Sequence, residues 1–342
     1  MCPDNPNPFT SAWLETETIV AVIPMFRVAA HIQSVIQSIP RWVSKIVVVN
    51  DASPDNCEEK VRSLQDERVV MISHPINKGV GGAMISGFQK ALEFGASIVV
   101  KIDGDGQMPV EYLEPLVAPI IFGETDFAKG NRFAIWKSIT AMPKVRRWGN
   151  LSLSFITKAA SGYWNVFDPT NGFIAIDAEM LTRIDLGNLH TRYFFESSLL
   201  CELNRFHAVI TDVSMPARYG EATSSLSIKQ TLLEFPALLL KAWLRRIFRN
   251  YFIYDFSIGS LYLVVGFILT TFGTLWGAGW WIHSVVTNKV TTTGTVMIAV
   301  LPIMIGIQLL LQFSAYDIQN VPRVPLNRRG RASKITNPCS AN

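Results

Sequence analysis

Short runs of aliphatic and β-branched residues recur through the first hundred positions, each closed by a polar or glycine-rich break. Thr18-Ile19-Val20-Ala21-Val22-Ile23-Pro24 predicts a strand buried on both faces. Apolar residues then take up helical spacing through Ala30, Ile32, Val35, Ile36 and Ile39. Lys45-Ile46-Val47-Val48-Val49 predicts a second strand, ending at Asn50-Asp51. A helix near Cys57 to Gln65 leads to a strand at Arg68-Val69-Val70-Met71-Ile72. Asn77-Lys78-Gly79-Val80-Gly81-Gly82-Ala83 opens a helix that runs to about Phe94. The run Ala96 to Ile102 predicts the next strand, and Ala208 to Val213 a later one. Strands alternating with helices predict a parallel α/β sheet covered on both faces. Ligands of such sheets sit at the C-terminal strand ends. Asp51, Asn77 and Asp103 all fall there, so three polar groups meet on one edge.

The pattern changes in the last third. Ile258 to Ile282 is uncharged and long enough to cross a bilayer, and Thr292 to Tyr316 is a second such segment. About nine residues, with Lys289, separate them, so the two predict a helical hairpin. Lys241, Arg245, Arg246 and Arg249 precede it; Arg323, Arg328, Arg329, Arg331 and Lys334 follow it. The positive-inside rule then puts both ends, and the first domain, in the cytoplasm. Between Ile228 and Tyr254, Leu232, Leu233, Phe235, Leu238, Leu239, Trp243, Ile247 and Phe248 are interspersed with those cations. This predicts amphipathic helices on a membrane surface, basic groups facing lipid phosphates. The expected organisation is a flexible tail at 1–17, an α/β domain at 18–227, amphipathic helices at 228–256, the hairpin at 257–317 and a basic tail at 318–342.

Composition supports the membrane reading. Of 342 residues, 49% are hydrophobic and 17% charged, too apolar for an ordinary soluble domain. The net charge of +4 is too small to imply nucleic acid as a partner. Cys2, Cys57, Cys201 and Cys339 show no paired spacing, which fits reduced thiols. The polar, proline-rich N-terminus lacks the regions of a signal peptide.

Candidate chemistry centres on Asp103-Gly104-Asp105. Two carboxylates one residue apart at a strand end suit Mg²⁺ or Mn²⁺ when phosphate oxygens and water complete the shell. A solvated Asp/Gly turn is the bland alternative. The five histidines have no ligand spacing, and none is assigned a metal role.

These residues, taken in order, resemble the family 2 glycosyltransferases with the GT-A fold. The resemblance covers about residues 18 to 225. It rests on Val22-Ile23-Pro24, Val47 to Ser53, Asn77-Lys78-Gly79 with Gly82-Ala83, and above all Ile102 to Pro109. Gly130-Asn131-Arg132-Phe133 and Asp168-Pro169-Thr170-Asn171-Gly172-Phe173 continue it. A catalytic domain followed by basic amphipathic helices and a membrane hairpin resembles the polyprenyl-phosphate branch, which includes the dolichyl-phosphate mannose synthases. There are departures. Asn50 stands where the family commonly has an acidic residue, and Phe26-Arg27-Val28 where it has Asn-Glu-Glu. Lys144-Val145-Arg146-Arg147-Trp148 is similar to a motif of processive synthases, but its first residue and its place in the order are wrong.

The resemblance implies a Rossmann-like, mainly parallel sheet, a nucleotide-sugar donor and a divalent metal. Asp103, Asp105 and Gln107 would hold the metal; Pro24, Asp51, Lys78, Gly79 and Arg218 would bind the donor with them. The Gly79 to Gly82 amides would face the nucleobase or diphosphate, with a tight turn as the alternative. Arg132 and Arg146, with Arg147 and Asn150 beside them, match the acceptor-phosphate site. Arg218 resembles a loop arginine that closes over the diphosphate. Glu196 occupies the region where hydroxyl-acceptor relatives carry a base. Asp168 would orient the sugar or an arginine, or cap the turn at Pro169.

The acceptor decides whether a base is needed. A hydroxyl needs one. A phosphate monoester, with a second pKa of about 6, is already largely dianionic and needs cations to place it. The leading expectation is an inverting, metal-dependent transferase moving one hexose-type sugar from a UDP- or GDP-sugar to undecaprenyl or dolichyl phosphate. It would act at the cytoplasmic membrane face, and a homo-oligomer is compatible with it. A hydroxyl-acceptor membrane transferase and a non-catalytic scaffold are the alternatives.

Overall fold

The computed structural model describes residues 13–133, 144–216 and 228–326. They fall into two units: the described residues up to Ala242 and from Pro322 onward, and Trp243–Val321.

The first unit is built on seven strands: β1 (Ile19–Met25), β2 (Lys45–Asn50), β3 (Val69–Ser73), β4 (Ile98–Lys101), β5 (Phe127–Asn131), β6 (Ile174–Asp177) and β7 (Ile210–Ser214). Their order is β3-β2-β1-β4-β6-β5-β7, and β6 runs antiparallel to both neighbours while the other pairings are parallel. The helices are α1 (Ile32–Ser38), α2 (Cys57–Arg62), α3 (Gly79–Glu93), α4 (Leu113–Ile121), α5 (Lys144–Ser161), α6 (Ala178–Arg183), α7 (Phe195–Arg205) and α8 (Ile228–Phe248).

β1 is an interior strand, between β2 and β4, and its period-2 alternation serves two layers. Ala21 and Ile23 join a core with Ile32, Val35 and Ile36 of α1 and Leu113, Leu116 and Val117 of α4. Val22, pointing the other way, packs with Val49 of β2 against Gly87 of α3. A side chain at Gly87 would displace both valines. Fully burying each such aliphatic side chain contributes roughly 1.5–3 kcal/mol.

The parallel half matches expectation closely; three other regions do not. Residues 13–17 do not belong to a flexible tail: Leu14 is 2% exposed and Trp13 packs on Phe122 at 5.2 Å between ring centroids. β5 and β6 lie where no strand was expected. The segment expected to open a basic tail returns to the sheet, where Leu326 N donates to Asp126 Oδ1 at 2.9 Å.

The second unit holds the end of α8, a π-helical turn (Arg249–Tyr254), α9 (Ile258–Thr287) and α10 (Thr293–Gln319). The most apolar windows of α9 and α10 are only 22% and 17% buried. A core hairpin of a soluble protein would bury most of that surface, so these two helices suit a lipid environment. α9 extends five residues past the expected span and takes in His283, leaving residues 288–292 as the connection. Asn288 ends α9 in the left-handed conformation at φ 50°. Gly259, Gly266 and Gly273, seven residues apart, form the seam. A Cβ at Gly273 would lie 2.6 Å from the Ala299 carbonyl, and one at Gly266 3.1 Å from that of Gly306. Small residues let such helices approach closely.

Arg246 departs from expectation. Instead of facing lipid phosphates, its Nη1 and Nη2 donate to Asp317 Oδ1 and Oδ2 at 2.7 and 2.9 Å, and Tyr251 Oη donates to Oδ1 at 2.7 Å. Ile247, Tyr251 and Phe313 enclose the pair. A cation with a carboxylate partner in apolar packing turns inward because the alternative leaves the carboxylate buried alone.

Candidate active site

The strand ends carry a chain of polar groups. At the end of β2, Asp51 is buried and fully engaged. Its Oδ1 lies 2.8 Å from His74 Nδ1 and accepts from Lys78 N at 2.8 Å; its Oδ2 accepts from Gly79 N at 2.8 Å. Asn77 Nδ2 donates to the Asp51 carbonyl, and His74 Nε2 lies 2.9 Å from Ser86 Oγ. Asp51 thus fastens the start of α3 to the sheet. Pro24, in β1 opposite Val49, is half-buried on the same edge.

The glycines that open α3 have a packing cause. Gly79 has φ +85°, which L side chains avoid. A Cβ at Gly81 would sit on the His190 carbonyl oxygen, and Gly82 N donates to the Thr191 carbonyl at 2.9 Å. The Lys78, Gly79 and Gly82 amides are therefore spent on Asp51 and the 190–191 backbone. In this geometry they do not form the expected cradle for a nucleobase or diphosphate.

The Asp103 to Gln107 loop follows β4. Lys101, the last residue of β4, is completely buried, and its Nζ lies 2.7 Å from Asp103 Oδ1 and 3.3 Å from Glu196 Oε1. Burial alone would depress the Lys101 pKa; the Asp103 and Glu196 charges reverse that and raise it above the usual lysine value. Gly172 is required here, because a Cβ would strike Lys101 Nζ and approach Asp103 Oδ2 within 3.0 Å. Gln107 N donates to Asp105 Oδ1 at 3.0 Å. Burial raises the Asp105 carboxyl pKa, the Gln107 amide opposes that, and the Asp103 charge adds to it.

That electrostatic state fits a divalent cation. Among the described residues no three His, Cys, Asp or Glu side chains gather as a closed metal site. Two neighbouring carboxylates, one of them half-desolvated and short of positive charge, form instead an open, oxygen-only donor set. A hard cation sharing its shell with phosphate oxygens and water suits such a set.

The remaining groups gather at β5 and β7. Arg132 Nε and Nη2 donate to Asp168 Oδ2 and Oδ1 at 2.8 and 3.1 Å. Asp168 is fully buried, whereas the Arg132 side chain is 39% exposed, so a hidden carboxylate aims a reachable guanidinium. Of the roles considered for Asp168, orienting an arginine is the one its contacts display. Lys129, buried in β5, donates from Nζ to the Asn171 carbonyl, and Asn171 Nδ2 donates back to the Gly130 carbonyl at 2.8 Å. Burial pushes Lys129 down to about 8, with Asp168, Glu196 and Asp212 opposing. Lys129 and Lys101 shift in opposite directions because Lys101 touches two carboxylates and Lys129 touches a carbonyl. Asp212 Oδ2 accepts from Asn131 Nδ2 at 3.0 Å and from Phe167 N at 2.8 Å. Burial pushes the Asp212 carboxyl up to about 6, against the Phe167 amide and the Lys129 charge.

Arg146, Arg147 and Asn150 lie on α5, with Asn150 one turn beyond Arg146. Arg218 lies outside the described residues, as do Arg328, Arg329, Arg331 and Lys334. Sequence reasoning missed Lys101, Lys129, His74, Asn131, Asn171 and Asp212. The signal for Lys101 was present: a lone lysine inside Ile98-Val99-Val100-Lys101-Ile102 demands a buried partner.

Comparison with known proteins follows the same lines. The profile of the family described as "Glycosyl transferase family 2" matches residues 20–184. Over 178 residues the chain is 33% identical to a UDP-N-acetylglucosamine–dolichyl-phosphate N-acetylglucosaminyltransferase of Methanococcus voltae, covering 48% of this chain and 70% of that one. It is 29% identical over 173 residues to an undecaprenyl-phosphate mannosyltransferase of Micrococcus luteus, covering 50% and 70%. Among solved structures, glucosyl-3-phosphoglycerate synthase of Mycobacterium tuberculosis with Mn²⁺, UDP-glucose and glycerol 3-phosphate superposes with a TM-score of 0.52. That match has 20% identity and covers 72% of this chain and 86% of that one. At that identity the likeness establishes the fold, which is GT-A.

Proposed function

The chain belongs to glycosyl transferase family 2, in its polyprenyl-phosphate branch, and from that premise we propose that it moves one hexose-type sugar from a UDP- or GDP-sugar to a polyprenyl phosphate. The reaction is inverting and runs at the cytoplasmic face of a membrane. α9 and α10 anchor the enzyme in the bilayer, α8 lies along its surface, and the Arg and Lys residues flanking the hairpin set the sidedness.

One observation carries the choice of acceptor: both candidate bases are already tied to cations. Asp168 is chelated by Arg132 and has no exposed surface. Glu196 shares the buried Lys101 with Asp103. A hydroxyl acceptor would need one of them free to take a proton. A phosphate dianion needs only to be gripped and aimed, and the Arg132 side chain, oriented by Asp168 and 39% exposed, is placed for that. Both named relatives act on a lipid phosphate.

On the donor side, Asp103, Asp105 and Gln107 would hold Mg²⁺ or Mn²⁺. When bound, the metal would supply Lewis-acid stabilisation of the departing diphosphate oxygen. Lys101 fixes Asp103, and the Gln107 amide fixes Asp105. Asp51 and Pro24 shape the edge where the nucleotide lies, Asp51 by fastening Lys78 and Gly79. Arg146, Arg147 and Asn150 of α5 assist Arg132 at the acceptor phosphate, and Arg218 closes over the donor diphosphate.

The test is incubation of the purified full chain with undecaprenyl or dolichyl phosphate, labelled UDP- and GDP-sugars, and Mn²⁺ or Mg²⁺. The expected result is a metal-dependent lipid-linked monosaccharide phosphate with one donor class. No lipid-linked product with any donor overturns the proposal.

A further inference from the structure

Helix α5 presents an apolar surface to solvent beside the Arg132–Asp168 pair. Phe155 is 63% exposed, and Leu151, Ile156 and the neighbouring Phe167 are exposed too. Residues 151 and 155 are one turn apart, and 152 and 156 lie beside them, so they share one helix face. The patch has internal order. Phe155 meets Trp164 edge-on at 5.7 Å, and Phe167 meets Phe133 edge-on at 6.2 Å. Phe133 directly follows Arg132, and Phe167 directly precedes Asp168, so the apolar surface begins where the guanidinium is held.

The charge on this helix is one-sided. Its 18 residues include Lys144, Arg146, Arg147 and Lys158 and no acid. Lys158 Nζ stands 4.7 Å above the Phe167 ring, at the margin of the patch. Exposed Leu, Phe and Ile, a tryptophan and an all-cationic complement are what an anionic lipid surface takes. A helix whose sequence carries four cations and no acid favours an anionic surface over a neutral soluble partner or a lone hydrocarbon chain.

We propose that α5 is a membrane-contact helix in its own right. Leu151, Phe155, Ile156 and Phe167 enter the bilayer below the headgroups, with Lys158 at the level of the lipid phosphates. This contact is separate from the hairpin and from α8. It sets Arg132 at the depth where the phosphate of a membrane-embedded acceptor lies, and to that extent it rests on the reading of the acceptor given above.

Depth-dependent quenching tests it without relying on turnover. Full-length protein with Cys2, Cys201 and Cys339 replaced by Ser carries a single bimane at Phe155→Cys or, as control, at Glu93→Cys. Glu93 ends α3, just before the chain reaches the N-terminal ends of β1 and β4, away from the strand ends that carry the candidate site. Cys57 stays unlabelled: it is buried, and its thiol is pushed up to about 11 by that burial. In nanodiscs of phosphatidylcholine and phosphatidylglycerol, doxyl-labelled lipid is expected to quench the label at 155 severalfold more than that at 93. Equal quenching overturns the proposal. Quenching at 155 that requires added polyprenyl phosphate also overturns it, assigning the patch to the acceptor's chain.

A second measurement uses Leu151→Asp with Phe155→Asp, both exposed positions. Transfer to a long-chain polyprenyl phosphate in nanodiscs is expected to fall about tenfold, while transfer to a short, freely soluble isoprenyl phosphate stays unchanged. Equal loss with both acceptors, or no loss, contradicts the proposal. If the wild-type chain transfers to neither acceptor, the proposed function fails, and the quenching experiment still decides the role of α5.

Discussion

The two ends of the sheet edge are built differently. The proposed donor half, β1 to β4, carries its polar groups on residues adjacent in sequence to the strands that place them: Asp51 after β2, Asp103 and Asp105 after β4. The proposed acceptor half gathers Lys129, Arg132, Asp168, Asn171 and Asp212 from three distant segments, and most of these are buried. In the first half Asp51 and Asp103 are paired, and Asp105, raised by burial and by the Asp103 charge, is the carboxylate that a cation would relieve. The second half pairs carboxylate with guanidinium and amine with carbonyl, and Asp168 orients an Arg132 side chain that is 39% exposed.

The largest effect that would sharpen this contrast is at Asp105. Asp105→Asn removes charge from the open donor set, and transfer is expected to fall about a hundredfold to a thousandfold. The folded chain should be as stable as wild type or more so, because the Asp105 carboxyl is raised by burial and by its neighbour's charge. Turnover and thermal unfolding of the same preparation check both statements. A change at the converged half behaves otherwise. Asp168→Asn keeps the shape but loses the ionic grip on Arg132, so the acceptor KM should rise about tenfold while the donor KM holds. An equal rise for both substrates would erase the distinction between the halves.

Smaller effects probe the scaffold. Gly81→Ala places a methyl on the His190 carbonyl and should cost about 2 kcal/mol in denaturant unfolding. An unchanged midpoint would mean the 190–191 loop yields freely. Asp212→Asn should act through pH. The Asp212 carboxyl, raised from 3.8 to about 6, holds a proton in the folded chain that the unfolded chain releases earlier. Stability from that proton is complete below the unfolded value and is lost as pH rises through the folded one. Asparagine has no such loss. The variant should therefore gain on wild type, by about 1 kcal/mol, between pH 4 and pH 7. A constant difference across that range would contradict the shift.

The same contrast decided what could be read from the chain. Ile19 to Met25 and Ile46 to Val49 are continuous aliphatic runs, and they form the strands their pattern implies. Phe127-Ala128-Lys129-Gly130-Asn131 does not look like a strand, because Lys129 is tolerable there only with Asn171 and the carboxylates around it, which arrive from distant parts of the sequence. The glycines at 79 to 82 suggested an anion cradle; close approach by residues 190–192 explains Gly79 and Gly81, and nothing local to the motif reveals that contact. Arg246 looked like one more lipid-facing cation because its partner, Asp317, is 71 residues distant. Periodicity reports burial within one element, and it is silent on which polar groups will meet.

The central claim is that the acceptor needs placement and not deprotonation. It is tested most directly by kcat/KM for polyprenyl phosphate in Glu196→Gln and Arg132→Ala, measured side by side. The expected result is that Glu196→Gln stays within about tenfold of wild type while Arg132→Ala falls about a hundredfold or more. Loss of activity in Glu196→Gln with only a modest effect of Arg132→Ala would contradict the account and restore a general base to the mechanism.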